Sequence, residues 1–176
     1  MKTDTKNKKR CFTAGSEISH LAVLIWMMVI FCFTAQNGDE SGDLSSGVTH
    51  LVMTVLNQLF QLEWSQAELL EMVSIWDYPI RKLAHMTEFG ILAVLIFIAI
   101  KNYKIVDTTK KRYLFAWLAA VVYAATDEFH QLFVPGRSGN LFDVCVDATG
   151  VTIALCLVAA ILALSQSRKE VISWSN

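Results

Sequence analysis

The chain has almost no net charge: 15 Lys and Arg stand against 16 Asp and Glu, a formal balance of −1. Such a total gives no electrostatic ground for a nucleic-acid partner, and none is assigned. Cysteine is scarce. Cys11, Cys32, Cys145 and Cys156 have no CxxC spacing, and the last three lie inside apolar runs, where a free thiol behaves as a small hydrophobe; no disulfide or thiol chemistry is assigned. Val29, Ile30 and Phe31 precede Cys32 where a lipoprotein signal would carry small residues. The sequence lacks G-x-S-x-G, a catalytic-cysteine motif and a Walker sequence, so Ser and Cys nucleophiles are unsupported. His85-x-x-Glu88 and Glu128-x-His130 are incomplete as metal motifs, and no metal or cofactor is assigned. Internal repeats and low-complexity linkers are also missing, which leaves one domain.

What is abundant is apolar sequence. Hydrophobic residues make up 54% and mean hydropathy is +0.43. About 20 apolar residues cross the roughly 30 Å of bilayer hydrocarbon. The expected fold is therefore all-α, an integral membrane bundle of four transmembrane helices over residues 19–35, 79–100, 113–134 and 140–164. A basic tail (1–18) and a second tail (167–176) flank this membrane domain (19–166). The first run, behind Lys2, Lys6, Lys8, Lys9 and Arg10, carries bulky Trp26, Met27, Met28 and Phe31 and reads as an uncleaved helix rather than a signal peptide. The external segment 36–78 is patterned: Leu44, Val48, Leu51, Val55 and Leu59 recur at helical spacing, predicting an amphipathic helix. Ser65-Gln-Ala-Glu68 is a capping box that opens a second, short helix. Pro135-Gly136 supplies a turn before the last span, which Asn140 caps.

Twelve of the 15 basic residues fall in the two tails and the loop Lys101–Arg112; only Arg81, Lys82 and Arg137 lie on the opposite side. The positive-inside rule then places both termini in the cytoplasm of a multi-pass inner-membrane protein. It also maps the intramembrane ionisable residues of three separate spans to the outer half of the bilayer. At 100° per residue Arg81, His85 and Glu88 share one face, Asp127 and Gln131 a second, and Asp143, Asp147, Gly150 and Ala154 a third, with Glu128 about 100° off its face. Lys82 points about 100° away from Arg81 and is expected to snorkel to the headgroups. Charges at such depth persist when paired with each other, with a ligand or with water. A register-locking ion-pair network is the bland reading. A functional site open to the outer leaflet is the sharper one.

Arg81-Lys82-Leu-Ala-His85-Met-Thr-Glu88-Phe89 resembles the R-K-x-x-H-x-x-E-[YF] pattern of the VanZ-like family. Asp127-Glu128-Phe-His-Gln131-Leu-Phe-Val-Pro135-Gly136-Arg137, followed by Asp143 and Gly150, is similar to that family's D-E-x-x-Q-x-x-x-P-G-R with its later D and G. Phe33-Thr-Ala-Gln36-Asn-Gly38-Asp-Glu-Ser41 resembles its polar stretch after the first helix. Asp147 departs from the pattern, standing where Asn is expected, and His130 matches nothing in it. The resemblance implies a bacterial envelope protein of the group named for teicoplanin resistance, with no settled activity. Two classes of function follow. In the first, Arg81, Lys82, Gln131, Arg137, Asp143 and Asp147 bind an anionic lipid headgroup or lipopeptide. In the second, His85, Glu88, Asp127 and Glu128 are candidates for acid/base chemistry on an envelope lipid. Apolar inner halves of the spans argue against a proton-coupled transporter.

Overall fold

In the computed structural model, which describes residues 14–174, five α-helices follow one another: α1 (Ala14–Thr34), α2 (Gly38–Phe60), α3 (Gln66–Ala99), α4 (Thr109–Gln131) and α5 (Leu141–Trp174). Two short 3₁₀ turns, Ile100–Asn102 and Lys104–Val106, join α3 to α4. The described residues contain no strand. The basic residues Lys2 to Arg10 lie outside them.

Local chemistry sets the ends. Asn37 Oδ1 accepts from the Glu40 amide (2.8 Å) with Asp39 and Glu40 in the first turn of α2, and Gln61 closes that helix in the left-handed region (φ 52°). The capping box at Ser65 is present, with Glu68 Oε2 accepting from the Ser65 amide at 2.8 Å.

The helix it opens is not short. It runs through Pro79 without a break for 34 residues, about 51 Å at 1.5 Å per residue, so the expected surface helix and the second span are one element. A proline inside a helix removes one backbone bond and crowds the preceding turn, a cost of ~3 kcal/mol. Here α2 packs along α3 and bonds to it just before the proline: Ser45 Oγ and Thr49 Oγ1 donate to Asp77 Oδ1 at 2.7 and 3.3 Å. The last helix is also longer than expected, since 167–174 continue it.

Three stretches are long and apolar enough to cross a membrane: Glu17–Thr34, Gln66–Ala99 and Leu141–Arg168. α4 is not among them. Lys110, Lys111 and Arg112 occupy its first turn and Asp127 and Glu128 its last, so its uninterrupted apolar stretch is short.

α3 is the axis and packs against all four other helices. Ile30, Phe89, Leu92 and Val151 are fully buried around it, together with Ala116, Ala120 and Ala124 of α4, a small-residue stripe that lets helices close up. Gly150 does the same on α5: a side chain there would run into the Met86 carbonyl of α3. Trp26 Nε1 donates to the Glu88 carbonyl (2.9 Å) and Tyr123 OH to the Met27 carbonyl (2.7 Å), fixing α1 to α3 and α4. Large apolar side chains cover the outside, including Leu21, Leu24 and Met28 of α1 and Leu157, Ile161 and Leu164 of α5.

Candidate functional site

The loop 132–140 folds back over the end of α1. Gly38 N–H donates to the Pro135 carbonyl (3.0 Å), and Gly136 takes a positive φ of 73° with its backbone against Gly38. A side chain on Gly38 would strike the Gly136 backbone, and Gly136 is held in the left-handed region that favours glycine. This contact delivers Arg137. Its Nε donates to the Gln36 carbonyl (3.1 Å) and its Nη2 to the Phe33 carbonyl (2.9 Å), meeting the last carbonyls of α1 with a cation. Two of the five guanidinium N–H groups are thereby used, and three remain. Burial pulls Arg137 below its ordinary range while Asp127, the leading opposing charge, pushes it back up; the guanidinium stays charged at any physiological pH.

Four helix segments and this loop enclose a polar chamber of about 250 Å³. Arg81, Lys82 and His85 line it from α3, Glu128 and Gln131 from α4, Arg137 and Asn140 from the loop, Asp143 from α5, and Gly38 and Ser41 from α2. Of the residues singled out in the sequence, three do not line it. Glu88 lines an adjoining groove. Asp127 is buried and accepts from Gln131 Nε2 (3.1 Å). Asp147 is buried at 2% exposure.

Lys82 does not snorkel to the headgroups. Its Nζ meets Asp143 Oδ1 at 2.6 Å, and it sits 5.2 Å from the centre of the Tyr78 ring. The helical wheel gave the direction correctly, but α5 comes so close at Gly150 that this direction faces Asp143 rather than lipid. Glu128, about 100° off its expected face, is buried too; its Oε2 accepts the Asn140 amide at 2.9 Å. Asn140 caps α5 in turn, its Oδ1 accepting from the Phe142 amide at 3.0 Å.

Arg81 Nη2 pairs with Asp77 Oδ2 at 3.0 Å, whereas its Nε is buried with no partner. His85 Nδ1 lies 3.8 Å from Glu88 Oε2, too far for a hydrogen bond. Sequence reasoning missed Asp77, Ser45 and Thr49, whereas Ser41 belongs to the polar stretch after the first helix. Asp77 had a readable signal, since it lies four residues before Arg81; the α2 hydroxyls had none, because only the packing of α2 on α3 brings them near.

The chamber wall thus carries three cations and His85; Lys82 is paired with Asp143, Arg81 with Asp77, and Glu128 accepts from Asn140. Among the described residues no three His, Cys, Asp or Glu side chains gather as a metal site. The arrangement can offer several hydrogen-bond donors to a compact oxygen-rich group.

No curated protein and no solved structure matches the chain. A family model described as VanZ/LLP1 matches residues 20–163, which run from within α1 to within α5 and include every residue of the chamber. The chain belongs to the VanZ/LLP1 family.

Proposed function

We propose that the protein is an envelope accessory protein of the bacterial inner membrane that binds an anionic group, a lipid headgroup or the anionic part of a lipopeptide, at the outer leaflet. The observation that carries this reading is Arg81: a guanidinium on the wall of a polar chamber whose side chain stays 37% exposed beyond its pair with Asp77. Its accessible N–H donors suit an anionic oxygen. Arg137 and Lys82 add positive charge on the same wall.

The topology belongs to the same proposal. α1, α3, α4 and α5 cross the bilayer, both termini are cytoplasmic, and the chamber opens outward. Charge distribution supports it, with five basic residues in Lys101–Arg112 at the opposite end of α3 from the chamber. So do Phe129, Leu132, Phe133, Leu141 and Phe142, exposed apolar side chains that surround the chamber's loop and suit a bilayer interface. α2 leaves Leu44, Val48, Leu51, Val55 and Leu59 exposed and lies in that interface. Periplasmic and cytoplasmic reporter fusions test this: one after Gly42 reads external, one after Asn102 cytoplasmic. A cytoplasmic signal at Gly42 removes the outer-leaflet site. Mass spectrometry of lipids that co-purify with the wild-type protein tests the ligand; the expected result is enrichment of anionic species over the membrane average, and a bulk-like profile contradicts it.

A membrane-embedded acid/base enzyme is the second reading. His85 favours it, because it stands on the wall of both the chamber and the groove, with Glu88 one turn away. Conversion of a co-purifying lipid by wild type but not by His85→Gln separates this reading from pure binding.

A further inference from the structure

A second cavity, also about 250 Å³, adjoins the chamber between α2 and α3. The surface it presents is mostly apolar, with Phe33, Leu44, Val48, Ile80 and Ala84 among its walls, although Gln36, Ser45 and Glu88 also line it. Four residues, Ser41, Arg81, His85 and Arg137, line both spaces. The cationic side chains that would hold a headgroup are thus the same ones that close the end of the apolar groove. Leu44, Val48 and Ala84 are exposed, so the groove opens along the side of the molecule rather than into its core.

We propose that the occupant is one amphiphile, a lipid with a small phosphate headgroup in the chamber and the start of its hydrocarbon chain in the groove between α2 and α3. This rests on the anion-binding reading and adds the other half of the ligand. Shared walls are the reason for one molecule rather than two: an anion fixed by Arg81 and Arg137 sits at the mouth of the groove, and whatever it is esterified to continues into an apolar trough. Headgroup size follows from the chamber. It is small, and its donors (Arg81, Lys82, Arg137, Gln131, Asn140) suit phosphate oxygens. A choline-type cation finds no aromatic cage, because Tyr78, the one aromatic residue of the lining, already carries Lys82 on its ring. A lipid source rather than a soluble phosphate is favoured by the groove, whose apolar lining a chain would remove from water.

The test uses the full chain in phosphatidylcholine nanodiscs, with phosphatidic acid, added phosphatidylcholine and glycerol 3-phosphate as probes and displacement of a labelled phosphatidic acid as readout. Three variants are compared: Arg81→Gln in the shared wall, and Val48→Trp and Ala84→Trp, each filling the groove from an exposed position. Wild type is expected to prefer phosphatidic acid to phosphatidylcholine by about tenfold or more, and Arg81→Gln to lose both that preference and glycerol 3-phosphate binding. The two groove variants should each weaken phosphatidic acid about tenfold while changing glycerol 3-phosphate by less than about twofold. Two substitutions guard against one of them perturbing the fold, which thermal melting reports. If both groove variants bind phosphatidic acid as wild type does while Arg81→Gln still loses glycerol 3-phosphate, the chain lies elsewhere and only the headgroup reading stands. If Arg81→Gln binds all three probes like wild type, the anion site itself is wrong and this inference falls with it.

Discussion

Two ion pairs, one at each end of the bundle, use the same chemistry in opposite settings. Lys82–Asp143 (2.6 Å) joins α3 to α5, with side chains 20% and 19% exposed. Lys111–Asp107 (2.8 Å) joins neighbouring turns beside the 3₁₀ connection, with side chains 58% and 59% exposed. Distance alone would rank them together. Burial and sequence separation divide them: the first links helices 61 residues apart in the chain and lines the chamber, while the second satisfies a helix start locally and is screened by water. The lesson is that the loop 132–140 end is tied together by several polar contacts between elements (Arg137 to α1, Asn140 to Glu128, Lys82 to Asp143), whereas the Lys101–Arg112 end combines local pairs with a hydrogen bond to α1, between Tyr103 OH and His20 Nε2 at 3.0 Å.

The largest effect is expected from Lys82→Met. It leaves the Asp143 carboxylate without its cation, and breaking one partner of a buried pair costs ~3–5 kcal/mol, toward the lower figure here because a fifth of each side chain is wet. Unfolding in detergent should show this, and the double variant Lys82→Met/Asp143→Leu should recover most of it. A double variant as unstable as the single one would mean that the pair is not the source. Gly150→Val comes next. The added Cβ already meets the Met86 backbone, so α3 and α5 must separate; overpacking of this kind costs ~1–3 kcal/mol, and Gly150→Ala should lose much of what Gly150→Val loses. A Gly150→Ala variant as stable as wild type would show that contact with Met86 does not decide the packing.

His85→Gln is the third. It keeps a hydrogen-bonding side chain of similar size but loses the imidazole's ability to take up and release a proton. Membrane abundance should stay near wild type. Under the enzyme reading turnover disappears, and under the binding reading ligand occupancy falls modestly. A drop in abundance that accounts for the whole loss would assign His85 to the fold alone. The smallest effect belongs to Asp107→Asn. A hydrogen bond from Lys111 and its charge hold the Asp107 carboxyl below the usual carboxylate range. Any stabilisation from this pair is therefore present above the unfolded Asp pKa and lost as pH falls through the lower folded value. On so exposed a pair the wild-type and Asp107→Asn melting curves should overlay at neutral pH. A clear separation would remove the contrast between the two ends.

Much of this was legible from helical periodicity. The stripe Arg81–His85–Glu88 and the pairing of Asp127 with Gln131 follow from 100° per residue, and Gly150 as a point of close approach follows from its size. Contacts that depend on which helix stands opposite were not legible. Lys82 looked free because a wheel gives direction without neighbours. The unbroken α3 was hidden because Pro79 read as a boundary, and the α2 hydroxyl that bonds to Asp77 beside it lies 32 residues away in the chain. Arg137 read as a ligand-binding fork, yet part of that fork holds the end of α1.

The central claim is that the chamber is a binding site built on a structural network, not merely that network. Bound anionic lipid per mole of folded protein, measured side by side for wild type, Arg81→Gln and Lys82→Met, tests it most directly. The account predicts that Arg81→Gln loses most of its bound anionic lipid while melting close to wild type, and that Lys82→Met loses stability first. Lipid occupancy that falls only in step with folded protein in both variants would contradict it and leave the charged cluster as a brace between helices.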